Sequence, residues 1–297
     1  DLYDKHGDNT LWQTLLYSNS EMEDLNRELT RIYAMLKTDG DTKVMEHLHV
    51  DKIDFCTFGN SKPFRIKIVN NYNDNYDYFY IKMPDASRLY GLEWEHILSP
   101  NRISYLISQH TLIEEHIVGI PGDQFIRNNL KDPLLNKTRL AKEFVKFNER
   151  CFIRLLGDMR SYNYVVDVTA DFDDNQYRIR AIDFDQQSYE GKRTLYMPQF
   201  FKENNEFVNL CGTLLNTETV KQYQYEERSL ISKRLKMSKY RVTLLLKIMQ
   251  KEPLSSTEKI EQLRKELFDH FGDQNYLYCE TMGDLMFLNL SRLASLN

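Results

Sequence analysis

The sequence predicts an α+β fold in two lobes: an antiparallel-sheet first half and a mainly helical second half, with a helical extension in front. Three observations predict it. Residues 52–82 hold three short β-rich runs separated by turn-forming stretches. The stretch Gly119-Ile120-Pro121-Gly122 is a strong breaker between the halves. Beyond it, apolar residues recur mostly at three- and four-residue steps, the period of a helix with one buried face. The expected boundaries are 1–50 for the extension, 51–118 for the sheet lobe and 119–297 for the helical lobe. A cleft between two lobes is a common place for a ligand.

Each element follows from its residues. Within 1–50, Leu25, Leu29, Ile32, Tyr33 and Leu36 form a helical stripe. Runs 53–58, 64–69 and 77–82 read as strands, joined by Gly59-Asn60-Ser61 and by the polar stretch 70–75 as hairpin turns. A helix over 86–98 ends at Ser99-Pro100, because the residue before proline is pushed out of the helical region. Runs 103–109 and 111–118 look like strands. Leu140, Phe144, Val145 and Phe147 mark a helix over 137–150. Three short runs follow, 151–156, 164–168 and 177–182, the last two joined by the acidic turn 171–175. From about residue 200 the chain reads as helical, with Leu244, Leu245, Ile248 and Met249 as a core stripe.

Composition narrows the function classes. Hydrophobic residues make up 41% and charged residues 28%, the balance of a globular chain. A net charge of −5 argues against broad nucleic-acid binding, which needs a basic face. Cys56, Cys151, Cys211 and Cys279 form no CxxC pair, so no thiolate zinc site is expected and small buried hydrophobes is the better reading. His47 and His49 stand apart from any metal-ligand pattern. No apolar run reaches the ~20 residues of a membrane span, and no signal-peptide core opens the sequence. A cytoplasmic protein is the expectation.

Chemistry concentrates in Gly157-Asp158-Met159-Arg160-Ser161-Tyr162-Asn163 and, one hairpin later, Ile182-Asp183-Phe184-Asp185. Asp158 and Asn163 are five residues apart on a loop, and Asp183 ends a strand. Phosphoryl transfer needs little covalent chemistry from a protein. It needs a carboxylate near the attacking hydroxyl, oxygen ligands for Mg²⁺ and positive charge on the phosphates. A loop and a neighbouring strand end can bring these oxygens together, with Asp158 orienting the acceptor hydroxyl and Asn163 and Asp183 holding the metal.

These residues resemble the protein-kinase-like superfamily, especially its aminoglycoside-phosphotransferase-type and other atypical branches. Those families carry His-Gly-Asp or His-Arg-Asp, an Asn five residues later, and a metal-binding Asp followed by an aromatic. The sequence departs from them at Leu156, where His is usual, and at Asp185, where protein kinases carry Gly. The resemblance implies ATP and Mg²⁺ as cofactors, with Arg160 meeting the transferred phosphate. It implies Lys82 as the strand lysine on the α- and β-phosphates, with Glu93 as its helical partner and Glu95 the alternative. Gly59 falls in the turn that would cover the phosphates, and Glu115 and Ile117 fall in a hinge whose main chain would bind adenine. The implied activity is transfer of the γ-phosphate to a hydroxyl of a protein or small molecule. The competing expectation is a pseudokinase, a nucleotide-binding scaffold without transfer activity, which Leu156 and the glycine-poor turn favour. The resemblance spans about residues 52–190, leaving the acceptor open.

Overall fold

In Phe64–Asn70 the residues alternate between faces, Phe64, Ile66 and Ile68 one way and Arg65 and Lys67 the other, and this strand sits mid-sheet for that reason. The computed structural model describes residues 1–3, 7, 9–38, 46–58, 61–172 and 175–293. They form two compact units. One comprises Asp1–Pro84 with Ile103–His116, the other Asp85–Arg102 with Ile117–Asn297.

The first unit is a six-stranded antiparallel sheet and one helix. Its strands are β1 (Trp12–Thr14), β2 (Leu48–Cys56), β3 (Phe64–Asn70), β4 (Tyr76–Lys82), β5 (Tyr105–Ser108) and β6 (Thr111–Glu115), in the order β1-β2-β3-β4-β6-β5. Helix α1 (Asn19–Lys37) starts with a capping box, Ser18 and Glu21 each closing the other's backbone N–H. It covers one sheet face, where Leu29 and Leu36 pack with Val50, Ile53, Ile66, Ile68, Phe79 and Ile113. Fully burying such a side chain contributes ~1.5–3 kcal/mol, so these residues dominate the unit's stability. The Asn26 side chain accepts the Val50 N–H at 2.7 Å, beside the irregularity between Val50 and Lys52, so the helix is also fixed along the strand. On the opposite face Arg65 pairs with buried Asp54 at 2.7 Å and lies 4.6 Å over the Trp12 ring.

The second unit is mainly helical. It holds α2 (Ala86–Leu98), α3 (Gly122–Asn128), α4 (Lys137–Ile153), α5 (Asn205–Leu214), α6 (Thr217–Met237), α7 (Lys239–Met249), α8 (Thr257–Phe271) and α9 (Met282–Ser291). A small antiparallel sheet joins β7 (Ile120–Pro121), β8 (Tyr164–Ala170) and β9 (Asn175–Ala181) in sequence order. The main core runs through Trp94, Phe152, Ile231, Leu235, Leu263, Leu285 and Met286. No helix among the described residues is long and apolar enough to cross a membrane.

Several sequence expectations meet a different outcome. Residues 1–50 are not all helical: Trp12–Thr14 pairs with β2 as an edge strand, and β2 already starts at Leu48. Residues 151–156 were expected as a strand, but Cys151, Phe152 and Ile153 are the last turn of α4. All three are buried, and a short apolar run surrounded on every side shows no period by which helix and strand differ. The Gly-Pro breaker carries β7, with Ile120 opposite Val166. Gly122 is required next, since a Cβ there would lie 2.3 Å from the Tyr164 ring and 2.4 Å from the Ser161 carbonyl. In α7 the buried stripe is Val242, Leu245, Leu246 and Met249, whereas Leu244 and Ile248 are about half exposed.

Candidate functional site

The site lies on the loop after α4, and its backbone sets the geometry. Leu155 and Asp158 both adopt left-handed φ of 54°. Non-glycine residues there cost ~1–3 kcal/mol each and persist only where surroundings over-determine them. Here the main chain supplies that constraint. Leu156 N–H donates to the Cys151 carbonyl, Gly157 N–H to Gln186, Asp158 N–H to Leu195 and Arg160 N–H to Asp158, at 2.8–3.1 Å. Leu156, which stands where the resembling families carry His, is fully buried and bridges Gln187 through the backbone. Gln187 Nε2 in turn donates to Ser188 Oγ at 2.9 Å. Apolar packing and a glutamine hold this loop.

Asp158 is gripped from both sides. Its Oδ1 accepts from Arg160 Nε at 2.7 Å and its Oδ2 from Asn163 Nδ2 at 3.1 Å. The same Nδ2 donates to the Asp158 carbonyl at 2.7 Å, so the amide's acceptor, Oδ1, is not engaged by Asp158. Arg160 also reaches Glu203 Oε1 at 3.1 Å and lies over the Phe201 ring. The loop is joined to the second motif directly, since Ile182 N–H donates to the Asn163 carbonyl at 3.0 Å. The sequence-predicted set Asp158, Arg160, Asn163 and Asp183 thus sits on two backbone-linked segments.

Asp183 brings in a residue that sequence reasoning missed. Arg88, in the first turn of α2, places a guanidinium nitrogen 2.8 Å from Asp183 Oδ1 and 3.8 Å from Asp185 Oδ2. Its side chain is only 5% exposed. The signal was present: a cation in the first turn of a helix opposes the helix dipole, so such an arginine needs a carboxylate partner. The helix approaches closely because residue 91 is glycine, and a Cβ there would fall 2.7 Å from Phe184 Cβ. Burial, together with the charge on Asp183, pushes the Asp185 carboxyl up to about 6, while Arg88 pulls it down.

The residues assigned to nucleotide contacts are placed as follows. In the first unit Lys82 ends β4, and its Nζ lies 2.6 Å from Glu114 Oε2 on β6. Glu114 is the partner found there, on the adjacent strand rather than on a helix. In the second unit Glu93, expected to pair with Lys82, pairs with Arg241 at 2.6 Å, and Glu95 forms a buried pair with Arg154. The two helical glutamates are thus engaged by arginines of the helical unit, a distribution that spacing along the sequence does not reveal. Glu115 ends β6, bound to Lys37 at 2.9 Å and to the Ser104 N–H at 2.8 Å. Ile117 is buried and begins the second unit's longer segment. Gly59 lies outside the described residues.

Could these side chains hold a metal? Among the described residues no group of three or more His, Cys, Asp and Glu is arranged for one. The donors here are the Asp183 carboxylate, the Asn163 amide oxygen and nearby Asp185. Mg²⁺ takes few protein ligands, one or two carboxylates with phosphate oxygens and water completing its shell. Asp183 Oδ1 is buried with no hydrogen bond beyond its 2.8 Å ion pair with Arg88, so this carboxylate oxygen keeps acceptor capacity. The donor chemistry fits Mg²⁺, with Arg88 already beside it.

No protein-family model matches the sequence, and no curated protein matches it. Solved structures align with it over most of its length at low TM-scores. The Rio2 kinase–ADP/Mg²⁺–phosphoaspartate complex from Chaetomium thermophilum is 10% identical, with 88% of this chain and 81% of that chain covered at a TM-score of 0.36. The autoinhibited serine kinase domain of the giant muscle protein titin is 13% identical, with 80% and 91% covered at a TM-score of 0.32. A PAN3 pseudokinase mutant from Neurospora crassa is 11% identical, with 93% and 71% covered at a TM-score of 0.23. The chain itself is α+β: an antiparallel-sheet unit, and a mainly helical unit carrying the Asp158–Asn163 loop and the Ile182-Asp183-Phe184 strand end.

Proposed function

We propose that the chain is an ATP- and Mg²⁺-dependent phosphotransferase that moves the γ-phosphate to a hydroxyl of a protein or small molecule. The observation that carries this reading is the Asp158 carboxylate held by Arg160 and Asn163, with Asn163 bonded through its carbonyl to the strand end bearing Asp183. A carboxylate fixed by two donors is oriented before substrate arrives, and orientation is most of what phosphoryl transfer asks of a protein.

In the proposed reaction Asp158 accepts the hydrogen bond of the acceptor hydroxyl and receives its proton as the new O–P bond forms. The bond from the γ-phosphorus to the bridging oxygen breaks, and ADP leaves with that electron pair. Arg160 offers positive charge next to Asp158 and would exchange its contact with Glu203 for the transferred phosphate. Within the first unit, Lys82, steadied by Glu114, is the proposed cation for nucleotide phosphates. Asp183 and Asn163 would hold Mg²⁺, which when bound neutralises phosphate charge.

A second reading, a nucleotide-binding scaffold without transfer, is favoured by one feature: Arg88 already places a positive charge on Asp183. Thermal denaturation with ATP, with and without Mg²⁺, followed by a γ-phosphate transfer assay, separates the two. Binding at a hundredfold excess over Kd stabilises by about 2.7 kcal/mol. The phosphotransferase reading expects a Mg²⁺-dependent shift that Asp183→Ala abolishes. It also expects Asp158→Asn to keep the shift and lose transfer by roughly 10²–10⁴-fold. Absence of any Mg²⁺-dependent shift sinks both the metal assignment and the enzyme reading. A shift without transfer selects the scaffold.

A further inference from the structure

Arg88 is buried at the acidic centre of the second unit, and nothing in the transfer chemistry above uses it. Its guanidinium nitrogens lie 2.8 Å from Asp183, 3.8 Å from Asp185 and 3.8 Å from Asp85. Its position is set by rigid parts. Asp85 caps α2 by accepting the Arg88 N–H at 2.8 Å. The Gly91–Phe184 approach presses the helix onto the segment that bears Asp183. Further along the helix, Glu95 is tied to Arg154 and Glu93 to Arg241. The helix therefore holds the arginine where a cation is needed, and the side chain has little freedom to withdraw.

The contact is electrostatic in character. Asp183 Oδ1 is buried and lies 2.8 Å from the guanidinium, so a metal that takes this oxygen finds the arginine already on it. A divalent cation approaching that oxygen meets a fixed positive charge a few ångströms away. Like charges repel, and the repulsion doubles for a divalent ion.

We propose that Arg88 is a built-in competitor of the divalent metal at Asp183, partly neutralising the acidic centre in the metal-free chain and weakening metal binding to it. This rests on the assignment of Asp183 as a metal ligand. Arg88 is thus a positioning and tuning residue, distinct from the groups that would touch the phosphates. In the competing arrangement, where Arg88 assists the metal by ordering Asp183, its removal would loosen metal binding. The two differ in sign.

The test uses the full chain and Mn²⁺ alone, without nucleotide, followed by isothermal titration. Arg88→Met is expected to tighten Mn²⁺ binding roughly tenfold, about 1.4 kcal/mol. Adding Asp183→Asn to Arg88→Met is expected to remove the gain. Unchanged or weaker Mn²⁺ binding by Arg88→Met overturns the proposal, as does failure of both wild type and variant to bind Mn²⁺. Stripping a buried cation from its carboxylates can unfold a protein, so Arg88→Lys, which keeps the charge on a shorter side chain, provides the second arm. It is expected to bind Mn²⁺ with an affinity between wild type and Arg88→Met, or above wild type if only it folds, and wild-type or weaker affinity overturns the idea. The outcome is separable from that of the proposed function. Tighter Mn²⁺ binding in a chain that never transfers phosphate upholds the competitor and sinks the enzyme, while transfer with Arg88-independent metal affinity does the reverse.

Discussion

Glu114→Gln tests whether Lys82 depends on its neighbouring strand. The Lys82 and Glu114 side chains are 12% and 7% exposed and their charged atoms are 2.6 Å apart. At an effective dielectric of 20 that separation gives about 6 kcal/mol of gross attraction. Most of it offsets the desolvation of burying both charges, so the net value of the pair is small. Removing one partner is different, because the remaining ammonium stays buried without its counter-charge, at a cost of roughly 3–5 kcal/mol. Glu114→Gln should therefore lower stability by close to that amount, with the amide keeping part of the hydrogen bond and placing it near the lower end. The double change Lys82→Met, Glu114→Leu removes both charges of this pair and should recover part of the loss. Glu93→Gln, the residue that spacing alone would pair with Lys82, acts on an exposed ion pair with Arg241 and should cost less than ~1 kcal/mol. Urea unfolding followed by fluorescence measures all three. If Glu93→Gln destabilised as much as Glu114→Gln, or if Glu114→Gln were silent, the assignment of Glu114 as partner would be wrong.

Two further outcomes follow from the second unit. Gly91→Ala forces a methyl group to within 2.7 Å of Phe184 Cβ and 3.1 Å of the Phe184 carbonyl, neither of which is a flexible end. Overpacking of this kind costs ~1–3 kcal/mol, and the thermal midpoint should fall accordingly, with an unchanged midpoint counting against the tight approach of α2 to Asp183. The raised Asp185 carboxyl, at about 6 against 3.8 when unfolded, makes its contribution to stability complete below pH 3.8 and lost as pH rises through 6. Thermal midpoints of wild type minus those of Asp185→Asn should thus decline between pH 4 and pH 6.5, and a flat difference would place Asp185 in open solvent instead.

The elements with strong local signals were legible along the chain. Alternation in 64–69 and 77–82 located β3 and β4, and Pro100 located the end of α2, because period 2 and a proline are properties of neighbouring residues. The spacing of Asp158, Asn163 and Asp183 singled out the loop and strand end that the backbone joins through Ile182 and Asn163. Less was legible where burial is complete. Cys151, Phe152 and Ile153 look alike as strand or helix end, since a segment buried all round carries no polar face to betray its period. The short edge strand at Trp12 was invisible because its partner lies some 40 residues away at Asp54–Cys56.

The sequence by itself determined which residues stand on the Asp158–Asn163 loop and at the Asp183 strand end, and the order of sheet and helices that carries them. Only the tertiary structure decided how the charges are distributed among partners. Lys82 takes Glu114, Glu95 takes Arg154, and Asp183 takes Arg88. Ion pairing depends on distance in space and on burial, and neither is a function of separation along the chain. Arg88 shows the division most clearly: as a letter it is a helix residue after Asp85, and as a side chain it is the cation at the centre of the acidic site.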